Sequence, residues 1–585
     1  MKGFQRFISN KDLYQLHAWL GLHLGLLLFV ICFSGTFAVF SNEVDWLANE
    51  ALRHEGNASG EPQWQAMKES IESRFPRGTL LGLYKETYTG NGPYFATAAY
   101  VKKPNGQTIK VYLNPQTGAL KGYTSFFNAQ RFFRSFHRRF FDGARGIILV
   151  TLCSLPFLLS ILSGFLFYKK WLQNLFKLRW RGSIRLLWAD LHRLAGFWSL
   201  LFALITALTG VFYFAELILQ RTSARTVLQE PAPQNIGETR LAGYPEVVQF
   251  LPLSTYVDSA RAAYPQLDVK TLRLPQHVGG FIYIDGQASN PLTRNRSDYV
   301  LLDPLDASVV HVQRSADLGL IPLMSDLADP LHFGYFGGLT SKIVWFLFGL
   351  MVSFSVLSGT YLWALRTTAR KSRARHPKSQ NKGLLIALAL SLLYFGWTGW
   401  ATFRGIQSYG PAHGLRSKVI AEPGPAPWPL TLYLKTPQRG QDKLYLTLDH
   451  KLTGLANLKS VVLVGINRID TFSNSGHQWR IPVDRAMEAQ WRKAPKQTIL
   501  LTSYTGEQKA WPISTHILQE TSAHLKHPLK NPAEADVARW PKMASGIWWY
   551  IGVFILATVG IIMLWARWVL LALSKRAYPN GRRTL

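Results

Sequence analysis

The chain has 585 residues, 48% of them hydrophobic, 13% aromatic and 17% charged. The charged fraction is below the roughly 25% of soluble domains, and the composition argues against intrinsic disorder and against an ordinary soluble enzyme. A formal net charge of +31 would ordinarily point to nucleic acid, but the charge borders apolar runs, so no nucleic acid is expected as a partner.

In chain order, six apolar runs approach or exceed the ~20 residues that cross a bilayer: Leu16–Phe40, Gly146–Tyr168, Ala195–Ala215, Ile343–Leu365, Gly383–Phe403 and Ile547–Ala566. The expected fold class is membrane α-helical, with six transmembrane helices, two α+β extracytoplasmic domains and one mainly β domain. The predicted segments are helix 1 (1–40), a first domain (41–143), helix 2 (144–168), a basic loop (169–190) and helix 3 (191–216). A second domain (217–331), helix 4 (340–365) and a second basic loop (366–382) follow. Helix 5 (383–403), a β-rich domain (404–544), helix 6 (545–566) and a tail (567–585) complete the chain.

Four short segments, 1–12, 169–185, 366–382 and 567–585, hold +20 of the net charge in 65 residues. Short basic loops stay in the cytoplasm, so both termini are expected there and the three long segments outside. The basic loops would contact anionic membrane lipid. The first apolar run is too long for a signal peptide and no small-residue cleavage site follows it, so it reads as a retained helix. The only two cysteines, Cys32 and Cys153, fall inside spans. They read as packing residues, and a disulfide-rich or four-cysteine metal scaffold is excluded.

The sequence repeats itself. LHAWLGLHLGLLLFVICFSGTF aligns with LHRLAGFWSLLFALITALTGVF, placing His17 on His192, Gly21 on Gly196 and Ser34-Gly35 on Thr209-Gly210. FHRRFFDGARGIILV aligns with LHFGYFGGLTSKIVW, placing His137 on His332, Gly143 on Gly338 and Ser163-Gly164 on Ser358-Gly359. The intervening segments repeat as well: a helix over 62–75 or 254–265, then strands that include TIKVYLNPQTGALKGY or DYVLLDPLDASVVHV. Residues 1–168 and 186–365 are therefore two copies of helix, small module, helix. The segment 404–544 has no counterpart.

The duplication puts His17 and His192 at the inner ends of their spans and His137 and His332 at the outer ends. A lone histidine at a span end is ordinarily interfacial, but a spectator need not persist in both copies. Imidazole is a common axial ligand of haem iron, and helix bundles build cofactor sites from facing helices. The expected cofactors are two haem b groups, each held through its iron by two histidines: His17 with His192, and His137 with His332. His23 lies six residues after His17, off the same helix face, and reads as a packing or supporting residue. His524 and His527 form an HLKH whose spacing could bind zinc, without a clear fourth ligand.

The LHxWLGL, FHRR, LHR and LHFG starts of the first four spans, together with NPQTG in the first small module, resemble the PepSY-associated transmembrane family over about 1–366. The two small modules look like PepSY domains. The second departs from the pattern, with Leu305-Asp306-Ala307 where the first has Gln116-Thr117-Gly118. Relatives include bacterial inner-membrane di-haem reductases of ferric siderophores. The resemblance implies an inner-membrane oxidoreductase that carries electrons outward, with His17, His137, His192 and His332 as haem ligands and a ferric siderophore as substrate. No residue is assigned a catalytic role. The chain shows no flavin or nicotinamide fingerprint, so the donor is expected to be a quinone or a cytoplasmic protein. The competing expectation is a non-enzymatic PepSY scaffold or regulator that binds partner proteins. A transporter is disfavoured, because the repeat is parallel and no broken helix with a midplane charge is seen.

Overall fold

The computed structural model describes residues 9–577 except 55–59, 77, 86–91, 103–107, 126, 229–230, 276–278, 289, 370–377, 409–416, 422–427, 429, 436–443, 451–453, 465–468, 475–478, 494–495, 517 and 520–544. The first copy begins with α1 (Asn10–His23), α2 (Gly25–Val39) and α3 (Ser41–Ala48). Its module consists of α4 (Trp64–Arg74) and strands β1 (Thr79–Tyr84), β2 (Thr97–Lys102), β3 (Thr108–Leu113) and β4 (Leu120–Ser125). The copy closes with α5 (Ala129–Arg139), α6 (Gly143–Leu152) and α7 (Ser154–Phe167).

The second copy begins with α8 (Ile184–Trp198), α9 (Leu200–Leu219) and α10 (Glu238–Ala242). Its module comprises β5 (Val247–Gln249), α11 (Leu253–Ala263), β6 (Asp268–Arg273), β7 (Ile282–Gln287), β8 (Asp298–Leu302) and β9 (Val309–Gln313). It ends with α12 (Leu320–Phe333) and α13 (Gly338–Ala369). Then come α14 (Lys378–Ser408), a β-rich domain that includes helix α15 (Arg485–Trp491), and α16 (Ser545–Ala577).

Five helices among the described residues are long and apolar enough to cross a membrane, and a sixth span results if the bent pair α1 and α2 counts as one. The chain is a multi-pass membrane protein. Leu201, Leu393 and Leu556 are 73%, 72% and 74% exposed on the bundle, an outer surface suited to lipid rather than water. The first span, expected as one helix, bends by 70° between His23 and Gly25. The third is interrupted at Ser199, where the hydroxyl donates to the Ala195 carbonyl (2.6 Å). Both breaks fall seven residues after the histidine of their copy. Each of the four histidines thus lies on its own short helix before a break, not at the first turn of a span. α16 runs eleven residues beyond the expected end of the last span, so Arg567–Ala577, read as tail, is helix.

α2, α7, α9 and α13 form the inner bundle. α14 and α16 pack against one flank of it. Phe554 stacks among Phe33, Phe133 and Phe136, and the Trp565 indole donates to Thr360 (3.0 Å).

The two small modules are not separate. β1 pairs antiparallel with β6, so all eight module strands join into one sheet of order β4-β3-β2-β1-β6-β7-β8-β9. α4 and α11 cover one face over a shared core that includes Met67, Ile71, Val111, Tyr256 and Val300. The predicted module helices agree with α4 and α11 to within two residues. Gly82 permits the seam, because a Cβ there would stand 2.9 Å from the Leu272 carbonyl oxygen of β6.

The β-rich domain holds a five-stranded and a four-stranded sheet around Trp428, Trp479, Trp491 and Trp511, as its strand-like runs predicted. Gly454–Ala456 pairs with β5, and buried Asn457 donates to the Leu241 and Tyr244 carbonyls (3.0 and 3.2 Å). The domain is thereby fastened to the second module.

Candidate cofactor sites in the helical bundle

The four histidines meet as two pairs, one from each copy in each pair. The His17 and His192 rings lie 6.3 Å apart, centre to centre, and those of His137 and His332 6.1 Å apart. Two metal–imidazole bonds of about 2.0 Å, each extended by the roughly 1 Å from nitrogen to ring centre, span about 6 Å. The spacing of both pairs is that of two imidazoles with one metal between them.

Every Nδ1 is already engaged. His17 Nδ1 meets the Ser160 carbonyl at 2.9 Å and His137 Nδ1 the Ile31 carbonyl at 3.0 Å. A carbonyl only accepts, so these Nδ1 atoms donate and Nε2 keeps its lone pair. His192 Nδ1 meets Ser358 Oγ (2.9 Å) and His332 Nδ1 meets Thr209 Oγ1 (2.8 Å). Both hydroxyls donate to backbone carbonyls of their own helices, which leaves them accepting from the rings. One tautomer is thus set at all four sites, with Nε2 free to bind metal, as a metal-ligating histidine requires.

The duplicated Ser/Thr-Gly pairs explain this geometry. Ser34-Gly35 on α2 serves His137, and Gly164 on α7 packs against His17. In the second copy Thr209 on α9 serves His332, and Ser358-Gly359 on α13 serves His192. A Cβ at Gly35 would lie 2.8 Å from His137 Cε1, one at Gly164 3.0 Å from His17 Cε1, and one at Gly359 3.3 Å from His192 Cε1. Gly210 departs from the scheme and faces Ser154 instead. The sequence displayed these dipeptides at fixed offsets from each histidine. Their place beside the histidine ring of a facing helix was not legible until the helices were paired.

The pairs sit toward opposite ends of the bundle. From Val352, which lines the outer cavity, to Ser358, which holds His192, α13 rises about 9 Å at roughly 1.5 Å per residue. From Thr209 back to the break at Ser199, α9 rises about 15 Å on the same pitch. His137 and His332 both line a cavity of about 410 Å³, within the range of small-molecule and cofactor sites. Its deep wall is apolar, with Ile31, Ile147, Phe157 and Phe202. Near His17 and His192, a Cβ on Gly21 or Gly196, each one turn after its histidine, would meet nothing within 4 Å. The residues fit a macrocycle at both pairs: an oriented pair of imidazoles with an apolar-walled cavity at His137 and His332, and an oriented pair with open space beside Gly21 and Gly196 at His17 and His192.

Around the outer pair the polar groups are tightly connected. Tyr213 Oη donates to Asp329 (2.7 Å), and Arg294 donates to Asp329 (2.7 Å) and Asp326 (3.3 Å). Buried Lys342 pairs with Glu43 at 2.8 Å. At the inner end Asp190, two residues before His192, is held by Arg179 (2.7 Å) and Arg193 (2.8 Å), which ties the basic loop to α8.

His23 stands apart from both pairs. It stacks on Trp19 (4.7 Å) and its Nδ1 meets the Trp19 carbonyl (2.9 Å), the packing role expected of it. Cys153 is buried, and both free cysteines line the outer cavity. His524 and His527 lie outside the described residues. Among those that are described, no group of three or more His, Cys, Asp or Glu could hold a metal ion.

A family model described as the PepSY-associated TM region matches residues 14–366. The chain belongs to the PepSY-associated TM family. All four paired histidines lie inside the matched region, and α14, the β-rich domain and α16 lie beyond it. The chain is also similar to a protein of Pseudomonas aeruginosa that carries the name of an uncharacterized protein. The two are 28% identical over 283 residues, which cover 44% of this chain and 70% of that protein.

Proposed function

We propose that this PepSY-associated TM protein is a bacterial inner-membrane oxidoreductase that binds two haem b groups and carries electrons across the membrane to reduce ferric siderophores outside the cytoplasm. The observation that carries the reading is the pair of histidine pairs. Each has the spacing of two axial ligands, each has Nε2 free by tautomer, and the two lie toward opposite ends of the bundle.

Bound between such imidazoles, haem iron supplies a one-electron carrier. His17 and His192 would hold the inner group and His137 and His332 the outer one. Ser358, Thr209 and the carbonyls of Ser160 and Ile31 keep the four rings in register. Ile31, Ile147, Phe157 and Phe202 would give the group an apolar wall in the outer cavity. On the substrate side, reduction of iron(III) to iron(II) weakens a chelate of hard oxygen ligands and frees the metal. The electron donor is a quinone or a cytoplasmic protein, since the sequence has no nucleotide-cofactor fingerprint. The termini and basic loops lie in the cytoplasm, in keeping with the charge of the short segments.

The test is spectroscopic. Purified protein should show a reducible low-spin haem spectrum, and adding ferric siderophores to the reduced protein should reoxidise it while iron(II) accumulates in a trap. His17→Ala or His332→Ala should each remove or convert to high spin about half of the haem and leave the other half unchanged. Full retention of both low-spin haems in a His17→Ala, His192→Ala double variant would end the ligand assignment. Reoxidation by a quinone but by no ferric chelate would end the substrate assignment alone.

A further inference from the structure

The rim of the outer cavity carries a charged constellation that the histidines do not use. α5 places Arg134, His137 and Arg138 at spacings of three and four residues, one face of a helix, and all three line the cavity. At the duplicated positions α12 carries Asp329, His332 and Phe333. The copies therefore differ in charge where the repeat predicts a match.

Asp329 does not neutralise both arginines. Its oxygens accept from Tyr213 and Arg294 and from neither Arg134 nor Arg138. Arg131, Arg138 and Arg296 all oppose the charge of Arg134, and Asp329 offsets it only through space. Among the described residues, neither Arg134 nor Arg138 forms a hydrogen bond or an ion pair. Arg134 is half-buried and Arg138 exposed at the rim, with the Glu216 carboxylate also lining the cavity. Two guanidinium groups one helical turn apart, facing a cavity with an apolar floor, repel each other, and an anion between them relieves that repulsion. A guanidinium fork suits carboxylate oxygens, and the apolar floor suits a ligand with an apolar body and its anionic groups along one edge.

We propose that Arg134 and Arg138 form a carboxylate-binding pair at the rim of the outer cavity. The proposal rests on the haem reading only for the source of the carboxylates. They belong either to the macrocycle seated between His137 and His332 or to a carboxylate-bearing iron chelate arriving at the rim.

The test compares the full chain as purified with Arg134→Gln, Arg138→Gln and with Arg134→Lys, Arg138→Lys double variants. Two readouts are taken: the rate at which each haem is lost to apomyoglobin, and the affinity for ferric citrate beside that for a carboxylate-free trihydroxamate chelate. If the macrocycle supplies the carboxylates, the Gln variant loses one of its two haems about ten- to a hundredfold faster. The second haem stays in place and reports an intact fold, and the Lys variant falls between. If the chelate supplies them, haem retention is unchanged and ferric citrate alone binds more weakly by a similar factor. Retention and affinity both equal to wild type overturn the proposal, as does equal loss of both haems in the Gln and Lys variants. A wild type without haem would sink the haem reading and leave the ferric citrate comparison to decide this one.

Discussion

At the scale of single residues, the sites depend on missing atoms as much as on present ones. Gly35→Ala would put a methyl 2.8 Å from His137 Cε1, and Gly164→Ala would put one 3.0 Å from His17 Cε1. On the proposed haem reading, Gly35→Ala should therefore disturb only the group at His137 and His332 and Gly164→Ala only that at His17 and His192, each seen as loss of half of the low-spin absorbance. A disturbance of the opposite centre would break the pairing scheme. Asp45 acts at a distance. Its carboxylate accepts the N–H groups of Ala129 (2.8 Å) and Gln130 (3.0 Å) and so fastens the start of the helix that bears His137. Burial pushes the Asp45 carboxyl up to about 7, and burial pushes its neighbour Lys110 down to about 8. Between the unfolded aspartate value of about 3.9 and about 7, the native state then holds more protons than the unfolded one, so stability falls as pH rises through that window. Asp45→Asn should flatten that slope in thermal melts between pH 4.5 and 7, while costing about 1–2 kcal/mol for a weakened backbone acceptor. A slope as steep as wild type would show that Asp45 is not the titrating group.

At the scale of elements, two devices set the architecture. One is the break after each histidine helix. Without it, α1 would continue straight into α2 and carry His17 along the membrane normal. The 70° bend lays α1 against α7 and brings His17 to His192. The other is the seam between β1 and β6, where three residue pairs join two modules into one sheet. Gly82→Val would drive a branched side chain into the Leu272 carbonyl. It should destabilise the sheet by about 1–3 kcal/mol and raise hydrogen exchange across Asp268–Arg273. The bundle helices should keep their protection, and equal deprotection of α13 would mean that sheet and bundle unfold as one unit.

At the scale of the whole molecule, the three folded segments follow α3, α9 and α14 and return through α5, α12 and α16. Alternation of the chain puts them all at the end of the bundle that holds His137 and His332. Reporter fusions at residues 181 and 577 should therefore signal cytoplasm, and fusions at 300 and 506 the opposite side. A cytoplasmic signal at 506 would remove α14 and α16 as spans. The β-rich domain reaches this end through two extra helices and is fixed to the second module by β5 and Asn457. It is thus held beside the modules rather than tethered to them by a linker.

The sequence by itself determined the membrane class, the internal repeat, the module helices and the partners of all four histidines. Each of these depends on periodicity, on charge or on parity of crossing, which are properties of one chain direction. His17 had to meet His192 because both precede spans entering from the same side. Only the tertiary structure decided the rest. The broken first and third spans, the fused eight-stranded sheet and the cross-service of Ser34, Ser160, Thr209 and Ser358 all depend on which helix faces which. So does the contrast between Arg134, which no carboxylate bonds, and Asp329, which accepts from two donors. The sheet seam and the histidine contacts join residues more than a hundred positions apart, and no local pattern encodes them.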